Sequence, residues 1–373
     1  MANPFSFLSN IFSKPAPSVL GIDIGSSSIK VVQLKKKVGK AVLETYGELA
    51  LGPYAGVEIG RATNLSQNKI IEALIDVLKE ANITSNMAGL SIPASASLLS
   101  FIKMPAVDQK QLATMIPIEA RKYIPVPISE VMLDWSIVPK SEESFSDFDK
   151  PNSNTAKDNS IEVLIAVIHN DVINRFNNIV QGAHLNGNFF EIEVFSSMRS
   201  VVDQSLDAQM VFDMGAGSTK LHIIERGVLR SSHTVNRGSQ ELTLAISRSL
   251  TMSVGDAEHI KRTVGISKDV ENRNINDILT LNLDYIFTET NRVIYNYQKK
   301  YNKSISRVIL TGGGCLLKGF LELARVKFQT EVVLGDPFAK IEAPAFLEPV
   351  LKNAGPEFAV AIGLALKQLQ DAE

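Results

Sequence analysis

VLGIDIGSSSIK at residues 19–30 and MVFDMGAGSTK at residues 210–220 are two copies of one pattern. Aligned on Asp23 and Asp213, both copies read Asp-x-Gly-x-x-Ser-x-Lys with the same spacing. A single Asp-x-Gly turn is common in proteins, whereas two longer matches in register are not expected by chance. The chain therefore contains an internal duplication, and each copy marks the start of one half.

The sequence around each copy has the pattern of β-strands. An apolar run typical of a buried strand precedes each turn, and an alternating strand follows it, IKVVQL in one half and KLHIIE in the other. A further turn then leads to AVLETYGEL and VLRSSHTV, respectively. Each half is therefore predicted to open as an antiparallel meander of three strands, with the repeated turn between the first two.

The repeated turn has the composition of a phosphate-binding loop. A glycine directly after a buried strand lets the backbone approach a ligand closely, and the small residues that follow offer amide and hydroxyl donors to phosphate oxygens. An aspartate at each strand end can hold a hydrated Mg²⁺, so Asp23 and Asp213 are the candidate metal residues. The other candidate phosphate residues of the two turns are Gly25, Ser26, Ser27, Ser28, Lys30, Gly215, Gly217, Ser218 and Thr219.

Several other classes of protein are not supported. The chain has no Gly-x-x-x-x-Gly-Lys-Ser/Thr segment, which excludes a Walker loop, and its glycines at 312, 314 and 319 do not have dinucleotide-fold spacing. A net charge of −2 gives no basic field for nucleic acid. Cys315 is the single cysteine and has no activating base nearby in sequence, which favours a structural thiol over a nucleophile.

These motifs resemble those of the actin-like superfamily, which also contains Hsp70 and the sugar kinases. The two turns are similar to its phosphate-1 and phosphate-2 motifs, and RVILTGGGCLLKGF (307–320) is similar to its adenosine motif. On that resemblance Gly312, Gly313 and Gly314 lie where side chains would block the adenosine. The implied fold is α/β, an actin-like ATPase fold of two duplicated ribonuclease-H-like lobes, with ATP and Mg²⁺ as cofactors.

Three further segments resemble elements of the same superfamily. EIEVFSSM (191–198) resembles the connect-1 helix, which places Glu193 where relatives carry the acid or amide that orients the attacking water. AEHIKRTVG (257–265) resembles the Hsp70 helix that holds the ribose, through Glu258 and Lys261; an ordinary surface ion pair is the alternative for these two residues. PEFAVAIGLALKQL (356–369) resembles the connect-2 helix, in which Ala361 and Gly363 would allow close helix packing.

The superfamily pattern does not cover residues 90–185, and that stretch identifies the family. Its predicted order is strand, helix, strand, strand, helix, with Asp108 as the N-cap of the first helix. This order in this position resembles the SHS2-like subdomain 1C of the cell-division protein FtsA. The segment EARKYIPVPISEVMLDW (119–135) is similar to the corresponding segment of the PilM family of type IV pilus-assembly proteins.

The predicted domain organisation follows from these assignments. It comprises an N-terminal tail at 1–17, lobe 1 (1A) at 18–89, 186–205 and 356–373, the inserted 1C subdomain at 90–185 with a disordered hairpin at 141–160, and lobe 2 (2A/2B) at 206–355. The tail has helically spaced apolar residues that suit a weak lipid or partner contact, although a frayed terminus is favoured.

The resemblance implies an ATP-binding scaffold of the type IV pilus, located in the cytoplasm and peripheral on the inner-membrane face. Relatives bind the N-terminal cytoplasmic tail of PilN, a member of the PilN/PilO inner-membrane complex, and help to link the pilin machinery to its motor ATPases. ATP would set the conformation, with slow hydrolysis at most. The tail is expected to bind beside residues 119–127, and self-association is the alternative role of the inserted subdomain.

Three alternative functions share this fold. An FtsA-like membrane tether for division filaments is expected to end in a basic amphipathic helix, whereas this sequence ends KQLQDAE after the connect-2 segment. A small-molecule kinase needs a general base beside the acceptor hydroxyl, and no insertion of the sequence supplies one. An Hsp70-type chaperone would carry a C-terminal substrate domain.

Overall fold

A computed structural model describes residues 18–139, 160–267 and 269–371. The predicted tail at 1–17 lies outside the described residues. The predicted hairpin at 141–160 also lies outside them, except for Ser160.

The described residues contain thirteen strands. In chain order they are β1 (Ser18–Ile24), β2 (Ser28–Lys37), β3 (Lys40–Ala50), β4 (Met87–Ile92), β5 (Ser97–Pro105), β6 (Val131–Val138), β7 (Ser160–His169), β8 (Asn186–Ile192), β9 (Ala208–Met214), β10 (Thr219–Glu225), β11 (Val228–Val235), β12 (Ile305–Thr311) and β13 (Glu331–Leu334).

The same residues contain ten α-helices. They are α1 (Gln67–Glu80), α2 (Gln109–Ala120), α3 (Asn170–Gly182), α4 (Glu193–Val201), α5 (Ser239–Leu250), α6 (Val254–Thr263), α7 (Arg273–Tyr301), α8 (Phe320–Lys327), α9 (Glu348–Ala354) and α10 (Ala359–Asp371).

Two five-stranded sheets share one topology. The first has the order β3-β2-β1-β4-β8 and the second β11-β10-β9-β12-β13. In each sheet the first three strands form an antiparallel meander, and the remaining two strands add in parallel. The repeated turn joins β1 to β2 in one sheet and β9 to β10 in the other. The predicted duplication, the meanders and the two ribonuclease-H-like lobes are therefore confirmed.

Each lobe has its own apolar core. In the first lobe, Ile70, Leu74 and Val77 occur at helical spacing on α1 and pack with residues of α3 against the sheet. In the second lobe, Phe287 of α7 stacks on Phe320 with ring centroids 5.7 Å apart, within a core that includes the strands β9, β10 and β12. Each of the two turns lies between paired strands of one of these packed sheets.

The inserted segment forms a third sheet with the order β5-β7-β6. The helix α2 covers one face, where Leu112 and Ile116 pack with Val163 and Ile165 of β7. Leu164, on the opposite face of β7, belongs to the core of the first lobe. Because β7 is apolar on both faces, the small sheet lies between its own helix and the lobe.

Asp108 caps α2, as the sequence predicts. Its carboxylate accepts hydrogen bonds from the amides of Lys110 and Gln111, both at 2.9 Å. The helix ends at Ala120, and a turn then carries the chain to Tyr123. The predicted order of elements in the insertion matches the observed order of β5, α2, β6, β7 and α3.

The helix α10 crosses α4 and β1 with backbone touching backbone. A Cβ atom on Gly363 would lie 1.9 Å from the carbonyl oxygen of Ser196, and one on Gly21 would lie 2.0 Å from that of Ala361. Arg199 of α4 donates a hydrogen bond to the carbonyl of Gly363 at 3.0 Å. The close packing predicted for the connect-2 helix is therefore confirmed, and it requires glycine at this crossing.

We expect Gly363→Val to lower the free energy of unfolding by about 3 kcal/mol or more, because the new side chain has no space beside Ser196. Chemical denaturation of the full chain measures this change. Gly255→Ala, in the first turn of α6, is the control: its nearest neighbours would be 3.8 Å away, so it should be neutral or slightly stabilising. Equal denaturation midpoints for Gly363→Val and the parent would contradict the crossing geometry.

A second prediction concerns acid stability. His222 of β10 is buried, and burial lowers its pKa from 6.5 to about 4. Between these two values the unfolded chain binds more protons than the folded one, so the contribution to stability is complete above pH 6.5 and is lost as the pH falls towards 4. We expect the free energy of unfolding to fall more steeply over this range in the parent than in His222→Asn. Parallel pH profiles would contradict the assignment.

Candidate nucleotide-binding site

The same hydrogen bond closes each of the two repeated turns, and the turns face each other. The amide of Gly25 donates to the carbonyl of Ser28 at 3.0 Å, and the amide of Gly215 donates to that of Ser218, also at 3.0 Å. A Cβ atom on Gly217 would lie 3.7 Å from the Ser26 hydroxyl of the opposite lobe. In each turn this hydrogen bond uses the amide of the glycine, so the amides of the two residues that follow the glycine are not part of it.

A cavity of about 380 Å³ lies between the lobes at these turns. It brings together sixteen of the seventeen residues that the sequence predicts for the site, namely Asp23, Gly25, Ser26, Ser27, Ser28, Lys30, Glu193, Asp213, Gly215, Gly217, Ser218, Glu258, Lys261, Gly312, Gly313 and Gly314. Thr219 is the exception. Its side chain is buried, and its hydroxyl donates to the carbonyl of Arg237 at 2.8 Å.

Three carboxylates meet at the floor of the cavity. Asp23 accepts a hydrogen bond from the Ser91 hydroxyl at 2.7 Å, and burial raises the pKa of its carboxyl group. The ammonium group of Lys220 lies 2.8 Å from Glu193 Oε2 and 3.4 Å from Asp213 Oδ2. Lys220 was not among the predicted site residues, although it ends the second copy of the motif as Lys30 ends the first.

Other charged residues of the cavity also escaped sequence analysis. Lys30 lies 3.0 Å from Glu48 Oε1 on β3. Burial and then the charge of Glu48 raise the pKa of the Glu357 carboxyl group, against the opposing effect of Lys30. Arg262 of α6 pairs with Glu258 at 2.6 Å. Arg262 and Glu357 lie in segments that the sequence analysis had singled out, at 257–265 and 356–369, but neither residue was assigned to the site. Glu48 lies on β3, outside these segments, and only the fold brings it to the cleft.

The triple glycine has two different structural roles. A Cβ atom on Gly312 would lie 2.4 Å from Asp213 Oδ1, and one on Gly314 would lie 2.5 Å from Met214 Cγ, so both positions need glycine for local packing. A Cβ atom on Gly313 would meet only Glu357 Oε2, at 3.2 Å. Gly313 is therefore the glycine of the three that borders open space in the cavity.

Glu258 and Lys261 form a buried pair at 2.7 Å. The Thr243 hydroxyl donates to Glu258 Oε2 at 2.7 Å and accepts from Lys261 at 2.9 Å. The alternative of an ordinary surface ion pair does not fit this burial. A hydrogen-bonded carboxylate and ammonium at the edge of a cleft can bind hydroxyl groups such as those of a ribose.

The cavity suits a nucleotide in its donor set and in its shape. Opposed small-residue turns, three lysines and an open space at Gly313 match the phosphates, ribose and base of a nucleotide. Within residues 18–139, 160–267 and 269–371, no group of three or more His, Cys, Asp or Glu is arranged to hold a metal ion. Mg²⁺ in nucleotide sites uses one or two carboxylates together with phosphate and water oxygens, a role that Asp23 and Asp213 can fill.

No helix of the described residues has the length and apolarity needed to cross a membrane.

Comparisons with known proteins agree with this architecture. A solved PilM–PilN type IV pilus biogenesis complex matches with a TM-score of 0.78 and 23% identity, over 94% of this chain and 98% of that one. MreB5 of Spiroplasma citri bound to ADP, an actin-like protein, matches with a TM-score of 0.52 and 10% identity, over 95% of this chain and 97% of that one. These likenesses confirm the actin-like fold.

Curated relatives point to the FtsA branch of that fold. The cell division protein FtsA of Rhizobium meliloti is 25% identical over 203 residues, which are 48% of this chain and 45% of the relative. The match thus spans about half the length of that protein. The model of one family, described as type IV pilus assembly protein PilM, matches residues 21–369. Since this match covers nearly the whole chain, the protein belongs to the PilM family of type IV pilus assembly proteins.

Proposed function

We propose that this protein is an ATP-binding scaffold of the type IV pilus assembly complex, acting in the cytoplasm at the face of the inner membrane. The observation that carries the proposal is the cleft in which two copies of one turn face each other from separate lobes. A ligand that contacts both turns links the two lobes. Membership of the PilM family and a structural neighbour bound to ADP support this assignment.

In the proposed complex the phosphates lie between the turns. Ser26, Ser27 and Ser28 offer donors from one lobe and Gly217 and Ser218 from the other, while Lys30 neutralises phosphate charge. Asp23 and Asp213 would hold a hydrated Mg²⁺. Glu258 and Lys261 bind the ribose, and the base lies beside Gly313. When bound, the metal would neutralise phosphate charge between the two lobes.

Slow hydrolysis at most is proposed for this site. Glu193 would be the residue that orients an attacking water, but its carboxylate already accepts hydrogen bonds from Lys220 and from the amide of Ala94. A carboxylate held by two donors is restricted in the water contacts that it can make. ATP would therefore act mainly as a ligand that selects one arrangement of the lobes.

The proposed partner is the cytoplasmic N-terminal tail of PilN. The solved complex that this chain resembles contains PilM and PilN, which supports the choice. The inserted domain packs one face of its sheet into the first lobe, and its outer helix α2 leaves apolar side chains exposed around the predicted segment 119–127. These are Met115, Ile118, Tyr123 and Val126. Apolar anchors of this kind suit a short peptide.

A hydrogen bond links the proposed ATP site to the inserted domain. The Ala94 amide that donates to Glu193 begins the single helical turn Ala94–Ala96, which leads directly into β5. A change at Glu193 when ATP binds would therefore act on the segment from which the inserted domain starts. This connection supports a scaffold in which nucleotide and PilN binding influence each other.

Gly313→Val should weaken ATP and ADP binding by at least about tenfold, because the added side chain occupies the space proposed for the base. Isothermal titration calorimetry on the full chain measures the affinities. The variant should unfold at the same denaturant concentration as the parent when nucleotide is absent, since its new Cβ meets only the Glu357 carboxylate. Unchanged affinity in a folded Gly313→Val protein would exclude a base at this position.

Tyr123→Ala should weaken binding of a synthetic PilN tail by about tenfold or more, as expected for an aromatic anchor at an interface. Fluorescence anisotropy with a labelled peptide provides the measurement. Tyr295→Ala is the matched control, because Tyr295 is also an exposed tyrosine but lies on α7 of the second lobe. If both variants bind the tail as the parent does, the proposed surface is wrong.

A further inference from the structure

A second cavity lies outside the nucleotide cleft, where the inserted domain meets the second lobe. Its volume is about 240 Å³. Phe101 of β5 lines one side, and residues of β11 and α7 line the others. An ion pair between Glu162 of β7 and Lys300 of α7, at 3.4 Å, spans the same junction. The cavity is therefore bordered by two parts of the molecule that are far apart along the chain.

Arg230 of β11 brings a buried positive charge to this cavity. Its side chain is only 5% exposed, and its Nε atom makes no hydrogen bond within the described residues. Glu225 Oε2 lies 3.2 Å from that atom, as an ion pair without hydrogen-bond geometry. A guanidinium group carries five N–H donors, and buried donors are costly to leave unpaired. Because Glu225 approaches at Nε, the two terminal nitrogens remain for another acceptor.

The charges around the cavity leave one cation in excess. Glu225, which is buried, is paired with Lys303 as well as with Arg230. Glu162 is the partner of Lys300. Three cations thus face two carboxylates, and an anion that entered the cavity would restore the balance.

The remaining lining joins polar donors to an apolar wall. Ser231 and Ser232 of β11 offer hydroxyl groups, while Phe101 and Val293 are apolar. The hydroxyl of Tyr301 is buried and has no hydrogen-bond partner within the described residues. An apolar wall with a few convergent polar groups is typical of sites for small molecules.

We propose that this cavity binds the oxyanion group, a carboxylate or a phosphate, of a small organic molecule, with Arg230 and Lys300 as its charged contacts. Arginine can bind either group through two parallel hydrogen bonds, and lysine adds a point charge. The apolar wall at Phe101 receives the rest of the molecule. Since the cavity touches β5 as well as β11, the ligand contacts the inserted domain and the second lobe together. This proposal does not depend on ATP binding in the cleft.

Ligand-observed NMR on the full chain tests the proposal with two probes, benzoate and inorganic phosphate. ATP is present throughout, so that the probes do not occupy the nucleotide cleft. We expect benzoate to bind with a dissociation constant on the order of a millimolar, as suits a ligand of its size. Displacement of benzoate by phosphate identifies a site that accepts both oxyanions. Benzoate binding that phosphate does not displace identifies a site for carboxylates.

Variants of α7 locate the bound probe. Lys300→Met removes one charged contact from a side chain that is 60% exposed, and should weaken benzoate binding at least about fivefold while the protein stays folded. Lys299→Met is the matched control, because Lys299 is an exposed neighbour on the same helix that does not line the cavity. Arg230→Met should abolish binding, and Glu225 keeps Lys303 as a partner in that variant.

Hydrogen–deuterium exchange with saturating benzoate is a second measurement that needs no variant. Exchange should slow in residues 97–105 and 228–235 together. Equal affinities for the parent and Lys300→Met would overturn the proposal. Absence of binding by both probes at about 50 mM would do the same, and the cavity would then hold solvent alone. If the probes bind through Lys300 but the cleft binds no ATP, the proposed function fails and this site stands.

Discussion

Negative charge concentrated where the two lobes meet is the constraint on which the rest of this structure depends. The duplication brings Asp23 and Asp213 to the same point from opposite sides, and α4 adds Glu193. Lys220 lies between two of these groups and compensates part of their charge. The ammonium group belongs to one lobe and its carboxylate partner to the other. The ion pair that balances the charge is therefore also a contact between the lobes. The acidic groups of the cleft are therefore partly compensated by a contact between the lobes.

The helices that connect the lobes complete this arrangement. Arg199 of α4 makes a bidentate ion pair with Glu191, at 2.8 and 2.7 Å, and donates to the carbonyl of Gly363 on α10. The same short helix that presents Glu193 to the cleft is thus held against α10 at the glycine crossing. Because the connecting helices touch through their backbones, a displacement of one requires a displacement of the other. The position of the acidic group in the site is therefore set by the packing of α4 against α10.

Sequence patterns predicted the fold to the level of individual turns. Each copy of the repeated motif is a short continuous segment, and each strand of the meander has its own alternation of apolar and polar residues. The same patterns located the residues of both turns and the glycines at 312–314. They could not separate the roles of these glycines, because the difference depends on Asp213 and Met214 lying beside two of them. Lys220 was visible as the last residue of the motif, but its partner Glu193 is set by the distance between two lobes. Glu48 had no local signal, and Glu357 lay in the connect-2 segment without an assigned role in the site.

The central claim is that a nucleotide binds between the lobes and contacts both repeated turns at once. Hydrogen–deuterium exchange of the full chain, with and without saturating ATP, measures this most directly. The account predicts slower exchange in residues 23–30 and 213–220 together, with slower exchange also in residues 311–317, and no change over the exposed face of α7. Protection of one turn alone, or of neither turn at a concentration of ATP that saturates binding, would contradict it.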